Sequence, residues 1–161
     1  MLTAFINRSD MLVYRIAHTM FIKDLTGEGP RLNGGRWNHP GTPCIYTSAS
    51  RALSLLEYTC HTRKHLIPRD LSFATFDIPD HSIQTFSIGQ LPGNWNHWPH
   101  PRESRDFGTR FLADNQFLLY CIPSVVIEEE MNYIINTRHG DVKRIKIVEV
   151  KEYAYDLRLK T

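Results

Sequence analysis

Cysteine is scarce in this 161-residue sequence: Cys44, Cys60 and Cys121 are odd in number and nowhere form a CxxC pair. That excludes a disulfide framework and a structural zinc cluster, and leaves a reducing cytoplasm as the expected setting. A surplus of one charge is also missing, since 19 basic residues stand against 17 acidic ones for a net +2. The strongly positive field of a dedicated nucleic-acid binder is therefore absent, and no direct nucleic-acid binding is expected. No run of about 18 apolar residues offers a membrane span. Near the N-terminus, Arg8-Ser9-Asp10 breaks the apolar residues before a signal-peptide core could form. Internal repeats and a compositional boundary are lacking as well. With 42 % hydrophobic residues, the expectation is one domain, residues 1–161, around one core.

What is present reads as mixed structure. MLVYRI (11–16) is rich in β-formers and follows turn-like residues, so it predicts a first strand. From Gly27 to Pro43 glycine and proline are dense enough to predict a long irregular loop, which inside a compact domain is disordered or functional. CIYT (44–47) predicts a buried strand, and Ser48 or Ser50 then caps a helix through residues 52–64. Ala52, Leu56, Cys60 and Arg63 line one side of that helix, with Leu53, Leu55 and Thr59 beside them and Glu57 on the shoulder. Further strands are expected at 71–78 and 81–88, separated by a turn at Pro79-Asp80. An irregular segment at 91–104 leads to a helix over 104–115 with Phe107, Phe111 and Leu112 inward. A buried strand at 117–122, ended by Pro123-Ser124, precedes an alternating strand or hairpin in VKRIKIVEVKEYAYDLRL. The sum is an α+β domain with more strand than helix.

The segment GGRWNHPGTPCIYTSASRALSLLEY places a cation on a glycine-rich loop, an aromatic hydroxyl on a strand and a carboxylate on a helix in close succession. Arg36 offers a planar fork of donors for a phosphate or carboxylate, and Gly34-Gly35 lets a ligand approach the backbone. Tyr46 can stack on a flat ring while its hydroxyl holds a polar group. Glu57 can stabilise positive charge that develops during a reaction. Each has a plainer reading when taken singly. Arg36 is then a surface ion-pair residue, Glu57 a solvated carboxylate, Tyr46 a core residue and Ser124 a turn residue. His61 and His65 have helical metal-ligand spacing and His97 and His100 form a second cluster. No HExxH occurs and no third ligand is evident, so no metal is expected. Trp95 and Trp98 can cover a pocket, meet a partner or fill a core edge.

The ordered motifs VYRI, GGRWN, IYTS, ALSLLEY, IPSVV, NYIIN and YDLRL run from end to end of the chain, and in this the sequence resembles the RES domain family. The family is named for an arginine, a glutamate and a serine, which correspond here to Arg36, Glu57 and Ser124. The resemblance implies a compact domain with a mixed, mainly antiparallel sheet, similar to ADP-ribosyltransferase toxins. It implies a toxin that degrades NAD+ by cleaving the nicotinamide–ribose bond, with water or phosphate as acceptor. NAD+ is then the substrate and no separate cofactor is expected. Growth arrest, a cognate Xre-like antitoxin that blocks the site, and a homodimer are further implications. In this carry-over Glu57, Arg36 and Tyr46 are catalytic, while Arg36, Tyr46, Ser124 and Trp37 bind substrate. Arg36 would anchor a phosphate or orient Glu57, Tyr46 would stack on nicotinamide or its ribose, and Ser124 would support the ligand or the Glu57 carboxylate. The chain departs from the family pattern at Phe111, where a tryptophan is common, and at Thr137 to Gly140 after Asn136. The nearest variant is ADP-ribosylation of a protein. From another class come a non-catalytic nucleic-acid or protein-binding module presenting Trp37, Trp95 and Trp98, and a metal-dependent hydrolase using the histidines.

Overall fold

The computed structural model describes residues 11–79 and 82–160. Its strands are β1 (Met11–His18), β2 (Ile45–Ser48), β3 (Leu71–Ile78), β4 (Ile83–Thr85), β5 (Leu119–Pro123), β6 (Met131–Ile135) and β7 (Lys146–Tyr153). Its α-helices are α1 (Glu28–Asn33), α2 (Arg51–His61) and α3 (Arg102–Asp114). The strands form one seven-stranded sheet in the order β4-β5-β6-β2-β1-β3-β7. Only the β4–β5 pair is parallel; the others are antiparallel, so the mixed, mainly antiparallel α+β architecture expected from the sequence is the one found.

Side-chain alternation along β5 and β6 covers both faces of the sheet. Leu119 and Ile135 join Val13, Ile45 and Phe76 in one apolar cluster. Tyr120, Ile122 and Ile134 join Trp37, Phe86, Trp95 and Phe111 in another. Burial on both sides explains why the residues around β5 read as an unbroken apolar run. Within the sheet, β1 and β3 pair over their full length, from Met11 opposite Ile78 to His18 opposite Leu71. By contrast β1 and β2 pair at Tyr14 and Ser48 alone. This seam divides the sheet into two parts.

Helix α2 is attached across the seam. Its N-cap is Ser50, whose Oγ accepts from the Leu53 backbone N–H at 3.1 Å, in keeping with the cap proposed from the sequence. In its first turn Arg51 lies 4.6 Å over the Tyr14 ring and donates to Thr75 Oγ1 at 3.2 Å, tying the helix to β1 and β3. Towards its end, Thr59 shares a 2.8 Å hydrogen bond with Tyr155, and Lys160 Nζ donates to the Thr62 and Arg63 carbonyls.

Several sequence expectations need correction. The buried line of α2 carries Leu53 and Ser54, whereas Ala52 and Cys60 are exposed, so the apolar face is turned from the one inferred. The helix spans the cavity as well as core, and a Glu and a Ser on its inner side disguise that side in the hydrophobic pattern. It ends at His61, which removes the helical relation between His61 and His65. The loop from Gly27 to Pro43 contains the short helix α1. The strand expected over 81–88 is reduced to β4 followed by a 3₁₀ turn at Ile88–Gln90, and its first residue, His81, lies outside the described residues together with Asp80 and residues 1–10. β6 was not anticipated as a strand, whereas β7 is the single strand of the two alternatives, strand or hairpin, and lies at the sheet edge.

Helix α3 holds the glycine-rich loop in place. The His39 backbone N–H donates to Thr109 Oγ1 at 3.0 Å, and His39 Nε2 lies 2.6 Å from Asp106 Oδ1. Gly108 is where the two backbones touch, because a Cβ there would overlap the Trp37 carbonyl group. Gly108→Ala is expected to destabilise the fold by about 1–3 kcal/mol, the usual cost of overpacking, and chemical denaturation should show it as a lower midpoint.

Candidate active site

The register of three strands assembles one polar cluster. Pairing of β2 with β6 sets Ser48 opposite Asn132, and pairing of β5 with β6 sets Pro123 opposite Met131, which brings Ser124 to the same end. Glu57 descends onto this end from α2. Ser124 Oγ donates to Glu57 Oε1 at 2.6 Å while accepting from the Val126 and Ile127 backbone N–H groups at 3.0 and 3.1 Å. Asn132 Nδ2 donates to the same Oε1, also at 2.6 Å, and Ser48 Oγ donates to Asn132 Oδ1 at 2.7 Å. The accepting backbone bonds orient the serine hydroxyl towards the carboxylate, and the Ser48 bond orients the asparagine amide.

Oε2 is treated differently. Its neighbour is His61 Nε2 at 3.6 Å, an ion-pair distance and too long for a good hydrogen bond. The side chain of Glu57 retains 18 % exposure. Burial pushes its carboxyl pKa up, but His61, Ser124 and Asn132 more than offset this and hold it below the ordinary carboxylate range. The short bonds from Ser124 and Asn132 set the geometry, and the His61 contribution is electrostatic. Glu57 is thus ionised at neutral pH, with one oxygen taking both short hydrogen bonds and the other near His61.

Glu57 lines a cavity of about 530 Å³ together with Gly34, Gly35, Arg36, Tyr46 and Asn132 among others. The size falls within the range of small-molecule sites. Tyr46 stands against Gly35, where any Cβ would come within 2.7 Å of the phenol oxygen. Its hydroxyl donates to Asn38 Oδ1 at 2.6 Å and accepts from the Trp37 backbone N–H at 3.1 Å. Asn38 is fully buried and its Nδ2 donates to the Pro30 and Thr42 carbonyls, so this one side chain ties the glycine-rich loop to itself and to β2. Burial drives the Tyr46 phenol well above its usual pKa, which makes it a neutral hydrogen-bonding group.

Arg36 is 9 % exposed and does not pair directly with Glu57. Its Nη1 donates to the Trp95 and His97 carbonyls at 2.7 and 2.8 Å, anchoring the 92–101 loop over the site. Burial pulls its pKa down against the opposing fields of Glu57 and Tyr46, although a guanidinium remains charged. The structure therefore brings Arg36, Tyr46, Glu57 and Ser124 together as expected. Trp37 lines the cavity but spends most of its ring on Trp95, stacked at 6.5 Å, and on Phe107. Asn132 and Asn38 were not singled out in the sequence, Ser48 was considered only as a helix cap, and His100 only as a metal ligand beside His97. Asn132 opens the NYIIN segment and Asn38 closes GGRWN, so both were in view as parts of motifs without a role. His100 lines the cavity, and burial with nearby Arg36, His61 and Arg105 depresses its imidazole to about 4. Asn136, by contrast, is buried away on α3, donating to the Leu112 carbonyl. Of the tryptophans proposed for a binding surface, Trp37 and Trp95 are buried and only Trp98 is exposed.

Fold and site define an α+β protein with an ionised helix-borne glutamate and a buried arginine around a ligand-sized cavity. The chain belongs to the RES domain family, whose model matches residues 12–158. It is 34 % identical over 146 residues to the Prs ADP-ribosylating toxin of Sphingobium sp. strain YBL2, covering 89 % of this chain and 91 % of that protein. It is 31 % identical over 152 residues to Toxin Res of Yersinia enterocolitica, covering 93 % of this chain and all of that one (100 %). Toxin Res of Pseudomonas putida KT2440 is 32 % identical over 152 residues, 92 % of this chain and 99 % of that one. Among solved structures, the fold is similar to a chain of the M. tuberculosis MbcT–MbcA toxin–antitoxin complex, with a TM-score of 0.72 at 17 % identity over 90 % of this chain and 85 % of that chain.

Because hydrogen bonds to the ionised form hold the Glu57 pKa down, removing either donor raises it. Ser124→Ala and Asn132→Leu should each shift the Glu57 titration upward, followed by NMR of the carboxyl carbon. The stabilising contribution of Glu57 is present above the unfolded carboxylate pKa and is lost as pH falls through its lower folded value.

Proposed function

We propose that this protein is a toxin that consumes NAD+ by breaking the bond between nicotinamide and ribose. The observation that carries the reading is Glu57, half-buried, ionised and hydrogen-bonded at Oε1 by Ser124 and Asn132, in the wall of a cavity of about 530 Å³. Departure of nicotinamide leaves oxocarbenium character on the ribose, and a preorganised carboxylate lowers the energy of that state. Water adds to the anomeric carbon, nicotinamide takes the bonding pair, and a proton is released with ADP-ribose. Phosphate in place of water would give the phosphorylated sugar. Tyr46 and Arg36 form part of the wall along which the rest of the dinucleotide would lie, with the Arg36 guanidinium as the cation for a phosphate.

Transfer of ADP-ribose to a protein is the second reading, favoured by the name of the Sphingobium relative. The similarity to a toxin–antitoxin complex supports an antitoxin as the partner that blocks this cavity. We assign that role to an Xre-like protein encoded with the toxin in the cytoplasm, and a homodimer as the state it meets.

Purified protein incubated with NAD+ should release nicotinamide, resolved by chromatography, with ADP-ribose or its phosphorylated form as the other product. Glu57→Gln should remain folded and lose about a hundredfold or more in rate. Folded wild-type protein that releases no nicotinamide, with water, phosphate or candidate proteins as acceptor, would refute the proposal. Label retained on a protein acceptor would select the transferase reading.

A further inference from the structure

One stripe of α2 lines the cavity of about 530 Å³: Ser54, Glu57, Tyr58 and His61, at the i, i+3, i+4 and i+7 spacing that puts side chains on a single helix face. Three of the four have evident company. Glu57 accepts from Ser124 and Asn132, and His61 lies against Glu57 and the rings of Trp98 and His100. The Tyr58 ring packs on the cluster of Ile16, Leu71, Phe73 and Tyr155. Ser54 is the exception. It is 6 % exposed, and its Oγ makes no hydrogen bond with any described residue. Its backbone N–H is satisfied by the Ser50 carbonyl at 3.0 Å, so the hydroxyl caps nothing. The common resort of a buried helical serine, a bond from Oγ to the carbonyl one turn earlier, is not made either. Unlike the Ser104 hydroxyl, which is sealed in without a partner, Ser54 Oγ opens on the cavity that the residue lines.

We infer that Ser54 is a substrate-binding residue, whose hydroxyl holds a hydroxyl group of the sugar that reacts at Glu57. This rests on the NAD+ reading of the cavity. Position comes first. Side chains three residues apart on a helix have Cβ atoms about 5–6 Å from one another, so a group bonded to Ser54 belongs to the same small ring as an atom beside Glu57. A smaller cavity of about 280 Å³ shares Arg36, Glu57 and His61 with the larger one, but Ser54 is not in its wall. The place of Ser54 is therefore the same whichever cavity receives the remainder of the ligand.

The chemistry of the position selects the group. A serine hydroxyl both donates and accepts, which matches it to another hydroxyl. An anionic oxygen one turn from the ionised Glu57 would be repelled, and the cation suited to a phosphate is Arg36, on the glycine-rich loop. An apolar occupant would shut the Ser54 hydroxyl away from water without a partner, at the full cost of its desolvation. A ribose meets the requirement, since it carries adjacent hydroxyls next to the anomeric carbon. A site built to bond such a hydroxyl also rejects a ligand that lacks it, so Ser54 makes the cavity selective for ribose over deoxyribose.

The test compares ADP-ribose with analogues that lack the 2- or the 3-hydroxyl of its terminal ribose, by calorimetry on the whole chain. Ser54→Ala should bind ADP-ribose roughly tenfold more weakly than the wild type, the loss expected for one hydrogen bond shielded from water. With the analogue that lacks the partner hydroxyl, the two proteins should bind alike, because the bond is already absent. Alanine is the better helix former, so the denaturation midpoint of Ser54→Ala should be no lower than that of the wild type. A lowered midpoint with unaltered affinity would mark a purely structural serine and sink the assignment. Equal affinity of both proteins for ADP-ribose, a loss that persists with both analogues, or a wild type that does not bind ADP-ribose would overturn it as well. So would an effect confined to NAD+, which carries a carboxamide that ADP-ribose lacks. The expected affinities without nicotinamide release from NAD+ would refute the proposed reaction and leave Ser54 as a sugar-binding residue. Nicotinamide release in which Ser54→Ala matches the wild type in both kcat/KM and ADP-ribose affinity would do the reverse.

Discussion

The hydrogen bonds that converge on Glu57 Oε1 organise this molecule. A carboxylate withdrawn from water is costly, and the cost is offset here by two short bonds from donors that are themselves oriented by further bonds. Those donors come from the ends of adjacent strands, and the carboxylate comes from a helix fixed elsewhere to β1, β3 and the C-terminal segment. The arrangement therefore needs the register of β2, β5 and β6 and the placement of α2 to be correct together. It also makes the carboxylate asymmetric. One oxygen takes both short hydrogen bonds and the other lies 3.6 Å from His61 Nε2.

The same logic governs Arg36. A direct bidentate pair with Glu57 would satisfy both charges and leave neither for a ligand. The loop at 92–101 prevents this by giving Nη1 two backbone carbonyls. Arg36 then feels the charge of Glu57 through space without a direct ion pair. Asn38 performs a related service for Tyr46, fixing the phenol oxygen beside Gly35 so that a neutral ring, rather than a titrating one, borders the cavity. The cavity is built from groups that are held apart as much as from groups brought together.

Much of the local structure was legible. Ser50 as a helix cap follows from the preference of a hydroxyl for free backbone N–H groups, and β1, β3 and β5 follow from their composition. The trio Arg36, Tyr46 and Glu57 was legible because all three lie within one short segment whose glycines and cap announce a loop, a strand and a helix. β6 was harder to see, since Met131 to Ile135 is short and its apolar residues report burial rather than period. The inner side of α2 was misread for a related reason. A helix that faces a cavity buries a serine and a glutamate, and a pattern search for apolar residues turns it the wrong way.

By itself, then, the sequence determined the α+β class, the strand and helix that carry Tyr46 and Glu57, and the kinship carried by motifs spread along the chain. These depend on backbone preference and residue order, which are local. Tertiary structure alone decided that Ser124 and Asn132 bind the same carboxylate oxygen, that Arg36 secures a distant loop, and that Trp98 stands exposed while Trp37 and Trp95 are buried. Each of those pairs residues that are remote in sequence. The choice among equally plausible partners was made by strand register and by the balance between burying a charge and satisfying it, neither of which any short window of residues contains.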